Sequence, residues 1–245
     1  MGKIDKMCNF AVGIANDNRH GYSQPRRYEP YSWDCSWLLI TAAEKAGYPV
    51  NSKYGATYTG NMYNAFIKAG FKDATRSVNL RSGAGLKKGD VLLSIKHHTE
   101  LYIGNGLVVG ANSDEYGGIQ GRIQGDQTGR EIWVKRYFVY RKGWDCVLRP
   151  PAESGTYQPA KNNRYKFIKT EYWRGKTLDV CNVRSAPSTK SSVVYTYPKG
   201  SVINYDSVYE GDGYRCISYI GGSSGKRRYV AYRRLYGNTK PWIKF

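Results

Sequence analysis

Two side chains in this 245-residue chain have the types and surroundings for covalent chemistry: the thiol of Cys35 and the imidazole of His98. Cys35 stands in Tyr31-Ser32-Trp33-Asp34-Cys35-Ser36-Trp37-Leu38-Leu39, where a polar turn gives way to an apolar run. Leu38, Leu39, Ala42 and Ala43 recur near helical spacing, which predicts a buried helix opening at the cysteine. A thiol in the first turn of a helix feels the positive end of the dipole and unpaired N–H groups, and both favour thiolate over thiol. Taken alone, such a cysteine has a plain alternative as a small core residue. A histidine able to take the thiol proton, with a third polar group to orient it, completes the minimum for acyl transfer.

The helix of Cys35 is expected to run to about Lys45 and to stop at Gly47, with Pro49 just beyond. Shorter helices are expected over residues 7–16 and 59–69, separated by the polar loop 16–30. In that loop Asp17, Asn18 and His20 could ligate an ion, although ordinary turn chemistry is the commoner use. Leu86 to Ile95 reads as a turn leading into a strand. His97-His98-Thr99-Glu100-Leu101-Tyr102-Ile103 then passes through Gly104-Asn105-Gly106 into Leu107-Val108-Val109-Gly110-Ala111-Asn112. Asn-Gly between two β-rich runs predicts a hairpin. Neighbours on a strand face opposite ways, so only one of His97 and His98 can face the cysteine, and the spacing to the hairpin favours His98. Residues 116–130 read as a glycine-rich loop, followed by strands over 131–140 and 144–148.

The chain carries 38 Lys and Arg against 19 Asp and Glu, a formal charge of +19. The excess is +8 over residues 1–150 (21 basic, 13 acidic) and +11 over residues 151–245 (17 basic, 6 acidic). A polyanionic partner is implied: nucleic acid, an anionic membrane or an anionic cell wall. Mean hydropathy is −0.62, and 23 tyrosines suit strands and surfaces that stack on flat or sugar-like ligands. Five cysteines (8, 35, 146, 181 and 216) without a Cys-x-x-Cys pair argue against a zinc site and for free thiols in a reducing compartment. The first residues lack a signal-peptide pattern, and no run reaches the length of a membrane span, so synthesis in a cytoplasm is expected. The stretch Arg149-Pro150-Pro151-Ala152-Glu153-Ser154-Gly155-Thr156 reads as the start of a linker. It divides a first domain (1–149) by a linker (150–164) from an all-β second domain (165–245).

Up to this linker the chain resembles the NlpC-type papain-like cysteine peptidases, especially the amidase/endopeptidase domains of phage endolysins. The matching residues are Tyr22, Asp34-Cys35-Ser36 opening a helix, Gly89-Asp90-Val91, and the His98 to Gly106 hairpin. The resemblance implies an α+β fold with the cysteine helix on an antiparallel sheet, Cys35 as nucleophile and His98 as base. It implies no metal or organic cofactor. Tyr22 and Asp34 match positions that bind the substrate peptide, with Ser36 and Trp37 beside them; Asp34 could equally cap the helix. The backbone N–H of Cys35 would help hold the oxyanion. The third polar group of the family would fall at Gly110, which has no side chain. Asn112, on the same face, is the first substitute and Asp126 the second, with Asp114 and Glu131 weaker; a backbone carbonyl or water is the remaining alternative.

Beyond the linker, Asn182-Val183-Arg184-Ser185-Ala186-Pro187 and Tyr197-Pro198-Lys199-Gly200 resemble a bacterial SH3-type domain, whose members in lysins bind the wall. The basic 221–228 loop, with Arg227 and Arg228, would suit anionic wall polymer. Tyr214 and Tyr232, with Tyr205 and Tyr209, are candidates for a ligand groove. The reading is therefore a peptidoglycan hydrolase, an N-acetylmuramoyl-L-alanine amidase or a peptide endopeptidase, acting after release from the host cytoplasm. A non-catalytic wall- or polyanion-binding protein is the rival. A nucleic-acid binder is disfavoured, because the basic residues form no clear recognition helix or aromatic RNA-reading motif.

Overall fold

The structure is a computed structural model that describes residues 2–152, 165–221 and 224–245. The expected linker lies mostly outside the described residues. Two compact units are present, one within residues 1–157 and one within 158–245.

The first unit begins with α1 (Lys3–Ala15), whose Met7, Cys8, Ala11, Val12 and Ile14 form one buried stripe. It starts earlier than the apolar pattern alone suggested. Two short strands, β1 (Gly21–Tyr22) and β2 (Ser32–Trp33), pair in parallel across the loop between them. α2 (Cys35–Ala46) follows directly. Asp34 caps it, accepting the Trp37 N–H at 2.7 Å. Gly47 ends it at φ +87°, a left-handed conformation that glycine adopts without strain, and Tyr48 N–H returns to Ala43 O. α3 (Thr59–Lys68) starts where the Asn61 side chain accepts the N–H groups of Thr57 and Tyr58.

The remaining strands are β3 (Lys72–Asp73), β4 (Val91–Ser94), β5 (His98–Gly104), β6 (Leu107–Ala111), β7 (Ile132–Arg136) and β8 (Cys146–Arg149). They form an antiparallel sheet in the order β3-β8-β4-β5-β6-β7. α2 packs on β5 and β6, while α1 packs on β6 and β7. A second cluster built on Leu92, Val108, Trp144 and Val147 includes the half-buried Tyr137, Phe138 and Tyr140. The β5–β6 hairpin turns at Asn105, as its Asn-Gly sequence predicts.

The second unit adds β9 (Lys166–Thr177), β10 (Cys181–Arg184), β11 (Val193–Tyr197), β12 (Val202–Gly211), β13 (Tyr214–Ile220), β14 (Arg227–Arg234) and β15 (Ile243–Lys244). All pair antiparallel, in the order β11-β10-β14-β13-β12-β9-β15, around Val183, Ile203, Tyr205, Val208, Ile217, Tyr219 and Val230. Among the described residues no helix is long and apolar enough to cross a membrane.

Asp90, in the Gly-Asp-Val turn before β4, is fully buried. Arg149 donates to its two oxygens at 2.8 and 2.6 Å, and the Lys87 N–H donates at 2.8 Å. This two-pronged pair joins the first sheet turn to the end of β8. Removing one member leaves the other as an uncompensated buried charge. Asp90→Ala is expected to lower the stability of this unit by about 3–5 kcal/mol, read as an earlier thermal transition.

Candidate functional site

The Cys35 thiol sits at the opening of α2, 7% exposed. It lies against the backbone of β5, where the N–H of Thr99 and that of its own neighbour Ser36 point at the sulfur. These N–H groups favour the thiolate, as a helix start should, but they do not prevail in the resting site. Burial, reinforced by the negative charges of Asp34 and Glu100, outweighs those N–H groups and pushes the thiol up to about 12. Cys35 therefore rests as a neutral thiol at neutral pH.

His98 opens β5 and is buried, whereas His97 lies exposed in the preceding turn. The imidazole is flanked by Tyr140 and Trp144, with ring centroids 5.2 and 6.0 Å away. Its Nε2 lies 3.0 Å from Oε1 of Glu100, two residues along the same strand and fully buried. Glu100 is the polar side chain set against His98, and it comes from β5 rather than from the returning strand. Glu100 pairs directly across the ladder from Gly110, as the flanking Leu101–Val109 pair fixes. A β-carbon at 110 would meet Glu100 Oε2 at 2.4 Å. Gly110 thus vacates the space that the carboxylate fills. Nδ1 of His98, the nitrogen not engaged by Glu100, is the one available to take a proton.

Lys135 on β7 closes the row behind Glu100, with Nζ 2.8 Å from Oε1. Burial pushes the Glu100 carboxyl up, but Lys135 and the His98 hydrogen bond prevail and hold it below its ordinary value.

The proposed substitutes for the third group have other partners. Asn112 donates to Gly110 O at 2.9 Å and accepts from the Lys135 ammonium. It therefore reaches the row only through Lys135. Asp126 accepts the backbone N–H groups of Thr128, Arg130, Glu131 and Ile132, and so ties its own loop. Asp114 does the same for Tyr116, Gly118, Gln120 and Gly121. Glu131 accepts the Tyr22 N–H at 2.9 Å, anchoring β1 beside the site.

Among the expected substrate residues, Tyr22 is buried near the Cys35 thiol; burial first, then that thiol, pushes its phenol up. Asp34 is 1% exposed, and both its oxygens are committed: Oδ1 to the Trp37 N–H and the Ser36 hydroxyl, Oδ2 to Arg27 at 2.8 Å. Asp34 and Ser36 thus cap and brace the start of α2. Trp37 is half-buried and edge-on to Tyr28, whose ring lies 4.8 Å away and is itself exposed. Glu100, Lys135, Tyr140 and Trp144 were not anticipated. For Glu100 the signal was present: residues two apart on a strand share a face, so Glu100 had to lie beside His98. Asp17 pairs with Arg19 at 2.7 Å. Among the described residues no group of three or more His, Cys, Asp or Glu could hold a metal ion.

In the second unit Arg227 is largely buried. It is paired with Asp206 at 2.5 Å and donates to the hydroxyls of Ser207 and Ser218. It braces the sheet interior instead of offering a charge to a wall polymer. Arg228 is half-buried against Ser224. Tyr205 and Tyr209 are buried, and Tyr205 donates to Glu171. Tyr232 packs on the core and against Phe245, 4.9 Å away, while Tyr214 lies half-buried beside Trp242.

A family model described as an endolysin-like domain matches residues 14–107 and 108–165, more than half of the chain. The chain belongs to the endolysin-like domain family. A bacterial SH3 domain model matches residues 157–231 of the β unit. Probable autolysin PH of Staphylococcus aureus (strain NCTC 8325 / PS 47) is 39% identical over 82 residues, covering 34% of this chain and 16% of the relative. The chain thus spans about a sixth of that relative's length. Among solved structures, Ly7917 with the hydrolyzing product of MDP matches at 19% identity and a TM-score of 0.39, with 99% of each chain covered. The cell wall binding domain of a staphylococcal phage endolysin matches at 21% identity and a TM-score of 0.32, covering 36% of this chain and 100% of that one.

Two outcomes follow from the site's packing. Gly110→Ala is expected to drive the Glu100 carboxylate off the endolysin-like unit's His98, lowering the His98 titration midpoint seen by NMR by about one unit or more. Arg227→Ala is expected to destabilise the SH3 unit by about 3–5 kcal/mol, visible as an earlier melting transition of the full chain.

Proposed function

We propose that the protein is a peptidoglycan hydrolase of the papain-like, NlpC-type kind, cleaving an amide of the wall stem peptide or the bond joining that peptide to muramic acid. The observation that carries this reading is the Nε2–Oε1 contact of 3.0 Å between His98 and Glu100, on the strand whose Thr99 N–H points at the Cys35 sulfur. A thiol, an imidazole and an orienting carboxylate are the parts that nucleophilic acyl transfer needs. Membership of the endolysin-like family and the match to an autolysin support the same substrate class. The SH3 unit would hold the enzyme on the wall, where a net charge of +19 favours anionic polymer.

The neutral resting thiol determines how the first step runs. As the sulfur attacks the amide carbonyl, its proton passes to Nδ1 of His98, so charge separates only as the S–C bond forms. Glu100 holds the ring by Nε2–H and stabilises the imidazolium. The oxyanion forms beside the first turn of α2, whose N–H groups have no helical acceptors. His98 then returns the proton to the leaving nitrogen, the C–N bond breaks and a thioester remains. Water, losing its proton to His98, attacks that thioester and restores the thiol. Tyr140 and Trp144 flank the imidazole and limit its rotation.

The test is loss of turbidity of purified Gram-positive walls, with wild type beside Cys35→Ala. Wild type is expected to clear them, and the variant to bind with clearing at least about a thousandfold slower. Mass spectrometry of the released fragments then names the bond. Equal clearing by both proteins would remove the thiol mechanism.

A further inference from the structure

We propose that Lys135 is a positioning residue that acts through Glu100 to keep the His98–Glu100 pair in the deprotonated form able to accept the Cys35 proton. The proposal rests on the reading of Cys35 and His98 as nucleophile and base.

Oε1 of Glu100 is shared. It lies 3.0 Å from His98 Nε2 and 2.8 Å from Lys135 Nζ, while the buried Oε2 has no hydrogen-bond partner among the described residues. The ammonium is itself fixed. It donates to Asn112 Oδ1 and lies over the rings of Phe138 and Trp133, at 4.2 and 5.6 Å from their centroids, with its side chain 14% exposed. A lysine held by two oxygens and two ring faces is a built counter-charge rather than a surface cation.

Other groups face the pair from each neighbouring element. The Cys35 thiol comes from α2, with the Asp34 carboxylate at its cap paired to Arg27. The phenols of Tyr22 and Tyr140 come from β1 and from the segment after β7, and both are held neutral by burial. β6 contributes Gly110, with no side chain, and Asn112, just beyond its end, is uncharged. Lys135 is therefore the positive charge set against the Glu100 carboxylate from across the sheet.

The sign of its effect follows from treating His98 and Glu100 as one titrating unit. With a proton beyond the one shared between Nε2 and Oε1 the unit is neutral; when that extra proton leaves, neutral imidazole beside the carboxylate carries one negative charge in a buried site. Lys135 stabilises only the second state. Without it, the unit keeps its proton to higher pH, wherever on the unit that proton resides, and His98 cannot serve as base until then.

The experiment compares wild type, Lys135→Met and Lys135→Arg by the pH dependence of kcat/KM for wall clearing and by NMR titration of His98. Lys135→Met is expected to raise both the acid limb and the His98 midpoint by about 1–3 units, with activity recovered above the new limb. Lys135→Arg keeps both near wild type. An unmoved His98 midpoint in folded Lys135→Met overturns the proposal. Thermal melting identifies a Lys135→Met chain that fails to fold. Glu100→Gln and Glu100→Gln/Lys135→Met, which bury no unpaired carboxylate, then decide. Acting through Glu100, Lys135 has little left to act on, so the double variant's His98 midpoint must lie far less than about 1–3 units above that of Glu100→Gln; a rise of that full size overturns the route. The NMR titration needs no substrate. Loss of the hydrolase reading, with Cys35→Ala clearing walls like wild type, is thus distinguishable from loss of this one.

Discussion

The buried carboxylate of Glu100 is the constraint around which the first unit is arranged. A fully buried negative charge costs several kcal/mol unless it is paired and hydrogen-bonded. Here it meets an imidazole on one side and an ammonium on the other, both at the same oxygen. Three adjacent strands supply the arrangement: β5 carries the imidazole and the carboxylate, β6 stands clear at Gly110, and β7 carries the lysine. The sheet order β5-β6-β7 is therefore an electrostatic requirement as well as a packing one. The lysine must cross over a residue without a side chain to reach its partner.

A second layer fixes the cysteine. Asp34 caps α2, is paired to Arg27, and follows a two-residue parallel pairing that brings Tyr22 alongside. Glu131 and Asp126 hold that pairing to the far end of the sheet through backbone N–H groups. Most carboxylates near the site thus organise backbone, which leaves Glu100 as the one aimed at the imidazole. The low polarity that makes the pair strong also keeps the thiol neutral, so proton transfer and bond formation have to occur together.

Much of this was legible in the chain. The α2 boundaries follow from Asp34 and Gly47, and the β5–β6 hairpin from Asn105-Gly106. Strand alternation allows only one of His97 and His98 to face the cysteine, and the spacing to the hairpin favours His98. Glu100 was equally legible, since its offset of two from His98 places it on the same face, but Gly110 drew attention to the returning strand and so to Asn112. Lys135 was not legible, because its meeting with Glu100 depends on a pairing across a 20-residue connection. Nor was Arg227: a basic loop reads as a charged surface, and only the fold reveals Asp206 waiting in the interior. The β1–β2 pair escaped because two-residue strands leave no periodicity to detect.

The exchange of bulk across the β5–β6 ladder also constrains how such a site can change over generations. Position 110 can gain a side chain only if position 100 shrinks, and position 100 can surrender its acid only if some other residue, at 110 for instance, takes over the imidazole. Either step alone passes through an impaired protein. The two positions are therefore locked together as a compensatory pair, and each way of placing the third group is a separate local optimum that single substitutions rarely leave.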